Sequence, residues 1–134
     1  MTGSHVTSTT GVDLLLDGII AGAVSPDAYA ADAVWDGVVP GWRFALRGAE
    51  AIAAEYARWF AQPTELSELR RHDTATGVVV EYTVAWHEEG IPHAGRHVHV
   101  LTVGRPSGRI VEDHVWCGGR WPAALLAEME AAGR

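Results

Sequence analysis

The sequence predicts an α+β fold, and three observations carry that prediction. Helix-period apolar patterning dominates the first half of the chain, four strand-like runs follow one another in the second half, and an Ala-, Leu- and Glu-rich tail closes it. Helices gathered before a run of long strands describe a sheet with one face covered by helices, and the four successive strands describe an antiparallel meander.

The elements follow in order. The polar residues 1–9 are expected to be disordered. In "TGVDLLLDGIIAG", Thr10 is placed to cap a helix with Asp13 three residues on, and Val12, Leu15, Leu16, Ile19 and Ile20 form its apolar stripe. "SPDAYAAD" starts again with Ser25 as cap and Pro26 at the first helical position, which predicts a short second helix ending near Asp32. "AVWDGVVPGW" holds Val34, Trp35, Val38 and Val39 but is interrupted by Gly37, Pro40 and Gly41, so it reads as a short strand and then a loop. From Gly48 to Ala61, Ile52, Tyr56, Trp59 and Phe60 recur at helical spacing until Pro63 stops the run. "ELSELRRHD", "GVVVEYTVAWHEEG", "RHVHVLTVG" and "RIVEDHVWCGG" are the strands, separated by "TATG", "EEGIPHAG" and "RPSG". Pro122 then opens a C-terminal helix.

Composition narrows the function. A chain of 134 residues with 48% hydrophobic content suits one domain. Its formal charge is −7, and its ten arginines are scattered rather than gathered into a stripe that tracks phosphates, so no nucleic acid is expected as a partner. The run "VDLLLDGIIAGAV" is too short and too acidic to span a membrane, and no basic leader with a cleavage site precedes it, so the expected location is the cytoplasm. The single cysteine, Cys117, excludes an internal disulfide. Lys and Asn are absent while Ala, Gly and Arg abound, as in a GC-rich bacterial genome.

The stretch "AGRHVHVLTVGR" raises the functional question. His97 and His99 stand one residue apart in a strand, so both imidazoles leave the sheet on the same side. In "VVVEYTVAW", Val78, Val80, Tyr82, Val84 and Trp86 share the apolar face, while Val79, Glu81, Thr83 and Ala85 share the other. In the last strand the same parity selects Val111, Asp113, Val115 and Cys117, unless one bulge inverts it and brings His114 inward. Two imidazoles in an apolar pocket can take a proton from a carbon acid or alcohol and return it elsewhere. Asp113 can fix a tautomer, and Tyr82 can hydrogen-bond a developing enolate. The competing reading leaves the histidines as hydrogen-bonded packing. A His-x-His strand also occurs in metal-binding cupins, but the glutamate expected a few residues later is absent, since Val100, Leu101, Thr102 and Val103 follow.

The element order, with "AADAVWDG", "LRGAEAIAAEYARWF" and "GRIVEDHVW", resembles the nuclear transport factor 2-like superfamily and, within it, the SnoaL-like polyketide cyclases. The resemblance runs from Val12 to Trp121 and implies a curved antiparallel sheet wrapped into a cone by three N-terminal helices, a cystatin-like α+β roll, with an internal apolar pocket and a C-terminal helix beyond it. It also implies a homodimer through the outer sheet face, where Val79, Thr83, Val98 and Trp116 lie. Several of the family's catalytic residues are missing. The positions of limonene epoxide hydrolase's Arg and two Asp are matched by Val80, Tyr82 and Val115, and SnoaL-type cyclases carry an Asp where Val115 stands. The base of ketosteroid isomerase falls on Asp36 or Gly37, and its protonated acid on the strand of His99. Scytalone dehydratase, which works with histidines and tyrosines, is the better analogy.

The expectation is therefore a pocket with His97, His99, Tyr82 and Asp113 as catalytic residues, and with Trp35, Asp36, Trp42, Tyr56, Val80, Val84, Trp86, Val115 and Cys117 against a small, largely apolar ligand. No cofactor and no metal are expected. The reaction would be a cyclisation, isomerisation or dehydration. The alternative is a non-catalytic binding or accessory protein of the same fold.

Overall fold

The computed structural model describes residues 8–133; the first seven residues of the stretch expected to be disordered lie outside that range. Helix α1 (Thr10–Ala21) begins one residue earlier than the capping reading requires, with Thr9 at the cap position and no side-chain cap bond. It buries Val12, Leu15, Leu16 and Ile19. Complete burial of each such side chain stabilises by about 1.5–3 kcal/mol.

The second helix is a single 3-10 turn, Pro26–Ala28, in which the Ser25 side chain accepts from the Asp27 N–H. Strand β1 (Tyr29–Val39) takes over at once and turns back into β2 (Trp42–Arg47). The short strand and loop expected there are thus an eleven-residue strand and its hairpin partner. Gly37, expected to interrupt the strand, faces inward and lets it pass: a Cβ there would lie 2.1 Å from the Trp35 ring, which occupies that space. Helix α2 (Ala49–Trp59) follows. Then come β3 (Glu65–Asp73), β4 (Gly77–Glu88), β5 (Ile91–Val103), β6 (Ile110–Cys117), the two-residue β7 (Trp121–Pro122) and α3 (Ala123–Ala131).

The meander β3–β4–β5–β6 is antiparallel throughout. The sheet as a whole is mixed, because β1 lies beside β6 and runs parallel to it, giving the order β2-β1-β6-β5-β4-β3, with β7 pairing β5. That parallel pair corrects the all-antiparallel expectation. The β4–β5 connection is also tighter than "EEGIPHAG" suggested. Glu89 and Gly90, at φ 51° and 78°, are the only residues between the two strands, and two positive φ values in a two-residue loop match the right-handed twist of a hairpin. His93, expected in a turn, consequently pairs within β5.

Register shifts interrupt β1, β3 and the β5–β6 ladder, and such bulges bend and twist a sheet. The inner face meets α1 and α2 in a core that includes Leu15, Ile19, Ile52, Val78, Val80, Leu101 and Val115. The bulge between Thr102 and Val103 pairs Ile110 with Val103, so Ile110 rather than Val111 turns inward. Asp113 and Val115 then follow the expected parity, and His114 stays outside. No helix among the described residues is long and apolar enough to cross a membrane.

Candidate functional site

Strand alternation delivers the site. β4 buries Val78, Val80, Tyr82 and Val84 on one face, and β5 buries His97, His99, Leu101 and Val103 on the same face. Tyr82 pairs with His97 and Val80 with His99 across the ladder, while His99 pairs with Val115 on β6, two residues beyond Asp113. α2 contributes Tyr56, and β1 contributes Tyr29 and Trp35.

These side chains form one continuous hydrogen-bonded chain with almost no exposure to solvent. Trp35 Nε1 can only donate, and it donates to Tyr56 Oη at 2.9 Å. Tyr56 therefore turns its own proton to Asp113 Oδ2 at 2.8 Å, and Tyr29 donates to the same oxygen at 2.7 Å. The other carboxylate oxygen, Oδ1, lies 3.0 Å from His99 Nδ1. With Asp113 accepting from all three neighbours, His99 carries its proton on Nδ1 and accepts at Nε2 from Tyr82 Oη, 2.8 Å away. Tyr82 oxygen then accepts from His97 Nδ1 at 3.1 Å. Every donor points toward Asp113, and the last lone pair in the series is His97 Nε2, which has no hydrogen-bond partner among the described residues.

Electrostatics keep the three phenols and the His97 imidazole neutral. Burial, followed by the Asp113 charge, holds the phenols of Tyr29, Tyr56 and Tyr82 well above the ordinary tyrosine pKa. Burial also pushes His97 down to about 3; electrostatic interaction with His99 and Arg120, which disfavours a proton on its ring, adds to the fall, and Asp113 opposes it. The unfolded chain therefore binds a proton at this residue that the folded chain refuses between pH 6.5 and about 3. His97 accordingly withdraws stability as pH falls through that window, by at most about 1.4 kcal/mol per pH unit. Urea unfolding of His97→Gln across pH 4–7 is expected to show a shallower loss on acidification than the parent chain. Equal slopes would contradict the burial of a neutral imidazole.

A cavity of about 290 Å³ ends on His97. Val84, Trp59, Phe60 and Trp86 supply its apolar walls, Cys117 joins the lining, and the largely exposed Arg58 and Arg120 stand where it opens to solvent. Burial raises the Cys117 thiol above its usual pKa, so it stays protonated. Two Trp–Glu–Arg clusters hold the mouth. Trp59 Nε1 donates to Glu55 at 3.0 Å, and Glu55 also pairs with Arg58. Trp86 Nε1 donates to Glu88 at 2.7 Å, and Glu88 also pairs with Arg120.

Of the residues expected at the site, His97, His99, Tyr82 and Asp113 come together in the buried chain, and Tyr56 and Trp35 join them. Val84, Trp86, Cys117 and His97 line the cavity. Val80 and Val115 are closed into the core beside it. Asp36 is on the outer sheet face, where Arg43 hydrogen-bonds it and lowers its pKa, so it is corrected out of the pocket, and Gly37 holds the inward position instead. Trp42 is 68% exposed on the hairpin and is likewise corrected out. Tyr29 was missed because "SPDAYAAD" reads as a helix, whereas it opens β1 paired with Ile110, on the far side of the β1 bulge from Trp35, and reaches Asp113 through its hydroxyl. Trp59, one of the residues at helical spacing, is a cavity wall, and Arg58 and Arg120 carry no periodicity that marks them. Among the described residues, no group of three or more His, Cys, Asp or Glu side chains is arranged to hold a metal ion.

No family model and no curated protein matches the sequence. Solved structures do match in shape. An NTF2-like protein from Anabaena variabilis superposes with a TM-score of 0.68 at 18% identity, over 89% of this chain and 96% of the other. An LEH-like epoxide hydrolase from M. tuberculosis gives 0.63 at 19%, over 92% of each chain. A proposed polyketide cyclase from Pseudomonas putida gives 0.60 at 17%, over 92% of this chain and 97% of the other. At these identities the likeness concerns architecture, and with the mixed sheet, its packed helices and the inner cavity it shows that the chain has the nuclear transport factor 2-like fold.

Proposed function

We propose that the chain is a cofactor-free acid–base enzyme, a SnoaL-like domain acting on a small, largely apolar and polyketide-like metabolite as a cyclase, isomerase or dehydratase in the cytoplasm. The observation that supports this reading is the hydrogen-bonded chain from the cavity wall to a closed carboxylate. Its outer end is a lone pair at His97, and its inner end is the His99–Asp113 pair, 0% exposed.

The proton balance is simple. A substrate C–H or O–H gives its proton to His97 Nε2, the His97 Nδ1 proton passes to Tyr82 oxygen, and the Tyr82 proton passes to His99 Nε2. The positive charge then rests on a His99 imidazolium against Asp113 Oδ1, while His97 is neutral again as the other tautomer. Reversal returns the proton to a different substrate atom.

A panel of one- and two-ring ketones in D2O, followed by NMR for deuterium at the carbon next to the carbonyl, tests this reading. The protein is expected to catalyse exchange, and His97→Gln to lose it with its urea midpoint nearly unchanged, because Gln can still donate to Tyr82. Exchange that is equal in the two proteins would overturn the catalytic reading and leave a binding protein with a polar core. Exchange abolished by a chelator would instead require a metal.

The outer sheet face exposes Val100 and Trp116 beside the half-buried Val79 and Val98, an apolar strip that fits a second copy of the chain. Light scattering is expected to give a dimer at micromolar concentration, and Trp116→Glu to give a monomer. A monomeric parent chain would refute the assignment.

A further inference from the structure

The charged groups at the cavity identify the kind of molecule it takes. The chain carries −7 overall, yet the two charged side chains among the cavity's lining residues, Arg58 and Arg120, are both cationic. Each is paired with a carboxylate just outside that lining set, Arg58 with Glu55 and Arg120 with Glu88. Glu88 and Glu89 line a second, more polar recess of about 350 Å³ that shares Arg120, Arg58 and Trp86 with the first. With each arginine balanced by one carboxylate, what the cavity itself meets is guanidinium N–H donors rather than a net positive charge.

Arg120 is the better held of the two. It follows Gly118 and Gly119 directly after β6, its guanidinium carbon lies 4.8 Å from the Trp86 ring centroid, and Glu88 takes its Nη2. Its remaining N–H groups donate to no other described residue. A planar guanidinium pinned on one side and stacked on a ring keeps a free edge suited to a carboxylate, with little ordering left to do on binding. Arg58, by contrast, is 76% exposed in the last turn of α2 and is tied to Glu55. The field of Arg120 also reaches inward, since its charge is among the causes that keep His97 neutral.

We propose that this site takes a small aromatic or alicyclic carboxylate whose charge is held by Arg120 at the mouth while its apolar body lies between Trp86 and Phe60 with its reacting atom toward His97. A cavity of about 290 Å³ is at the small end of the ~300–1,000 Å³ range of ligand sites, which suits one or two rings rather than a polycycle. A cationic ligand has no lone pair to offer that edge, and a neutral carbonyl accepts only the weaker, uncharged hydrogen bond there. The chemistry at His97 rests on the acid–base reading; the charge preference does not. During proton removal the same guanidinium would stabilise negative charge growing on the substrate, which makes Arg120 a binding and charge-stabilising residue at once.

Calorimetric titration with three shape-matched probes tests the proposal: 1-naphthoate, 1-naphthamide and 1-naphthylmethylammonium. Naphthoate is expected to bind about tenfold more tightly than the amide, the size of one charge-assisted hydrogen bond, and the ammonium more weakly than either. Arg120→Gln should bring naphthoate to within about twofold of the amide, while a far-ultraviolet circular dichroism spectrum like the parent's shows that the variant folds. Arg58→Gln should change naphthoate binding by about twofold or less, as an exposed ion pair allows. Equal binding of naphthoate and naphthamide, a preference that survives Arg120→Gln, or no binding of any probe at millimolar concentration would each overturn the proposal. The same titration on His97→Gln separates the two readings. A retained anion preference alongside unchanged deuterium exchange would leave a carboxylate-binding protein that is not an acid–base enzyme.

Discussion

Asp113→Ala is expected to lower stability by about 3–5 kcal/mol, the loss that follows removal of one member of a buried, hydrogen-bonded charged group. The carboxylate is 0% exposed and receives the Tyr29 and Tyr56 hydroxyls and the His99 N–H. Alanine would leave those three donors without an acceptor in a space closed to bulk water, and each unsatisfied group costs about 1–3 kcal/mol unless the side chains rearrange or a water enters. Of typical single-domain stabilities of about 5–15 kcal/mol, that is a large share, so the variant is expected to unfold early in urea or to aggregate on expression. Asp113→Asn gives a milder variant for measurement. Its oxygen can still accept, but its NH2 group is turned against a phenol or an imidazole N–H, which opposes donor to donor. Equilibrium urea unfolding should rank the parent above Asn and Asn above Ala. An alanine variant within about 1 kcal/mol of the parent would mean that Asp113 does not organise the interior as its hydrogen bonds indicate.

The same carboxylate shows what could be read from the sequence. Period-two alternation in "VVVEYTVAW" and "RHVHVLTV" placed Tyr82, His97 and His99 on one face, because a strand has only two faces and one of them must be apolar. Carrying the same parity from "GRI" into the last strand brought Asp113 to that face. It failed at Val111, because a bulge adds one residue to one strand and leaves no mark in an apolar–polar pattern. The first strand was less legible still. "SPDAYAAD" carries a helical cap, a proline at the first helical position and three alanines, all local signals. Those signals were satisfied by a single 3-10 turn, after which pairing with β6 overrode the propensity. Tyr29 was lost with that strand. Asp36 and Gly37 were separated only by structure, since one residue of register moves a side chain from the core to solvent. Side-chain identity announced the polar interior, but the cavity mouth did not announce itself, because Arg58 and Arg120 meet from a helix and a loop far apart in the chain.

Tyr82→Phe removes one oxygen atom and is expected to slow catalysed proton exchange by about a hundredfold or more. Phenylalanine fills the same space between β4 and β5, so packing is preserved, and the lost hydrogen bonds to His97 and His99 are expected to cost about 1–2 kcal/mol of stability. What the oxygen provides is connection. His97 touches the cavity, but a residue held at a pKa of about 3 is a poor proton acceptor near neutral pH. The His99–Asp113 pair is placed to stabilise an imidazolium, yet it is closed off from the cavity. Among the described residues Tyr82 alone bridges them, at 3.1 Å to one imidazole and 2.8 Å to the other. If the proton travels that route, His97→Gln and Tyr82→Phe break one path at two points, and the double variant should be no slower than either single one. If His97 instead keeps the proton itself, Tyr82→Phe should retain most of the exchange rate and the two effects should multiply. A multiplying pair would refute the relay while leaving His97 as a lone base, and raising the pH of the assay would not restore the Phe variant in the relay case, since no titration rebuilds the missing oxygen.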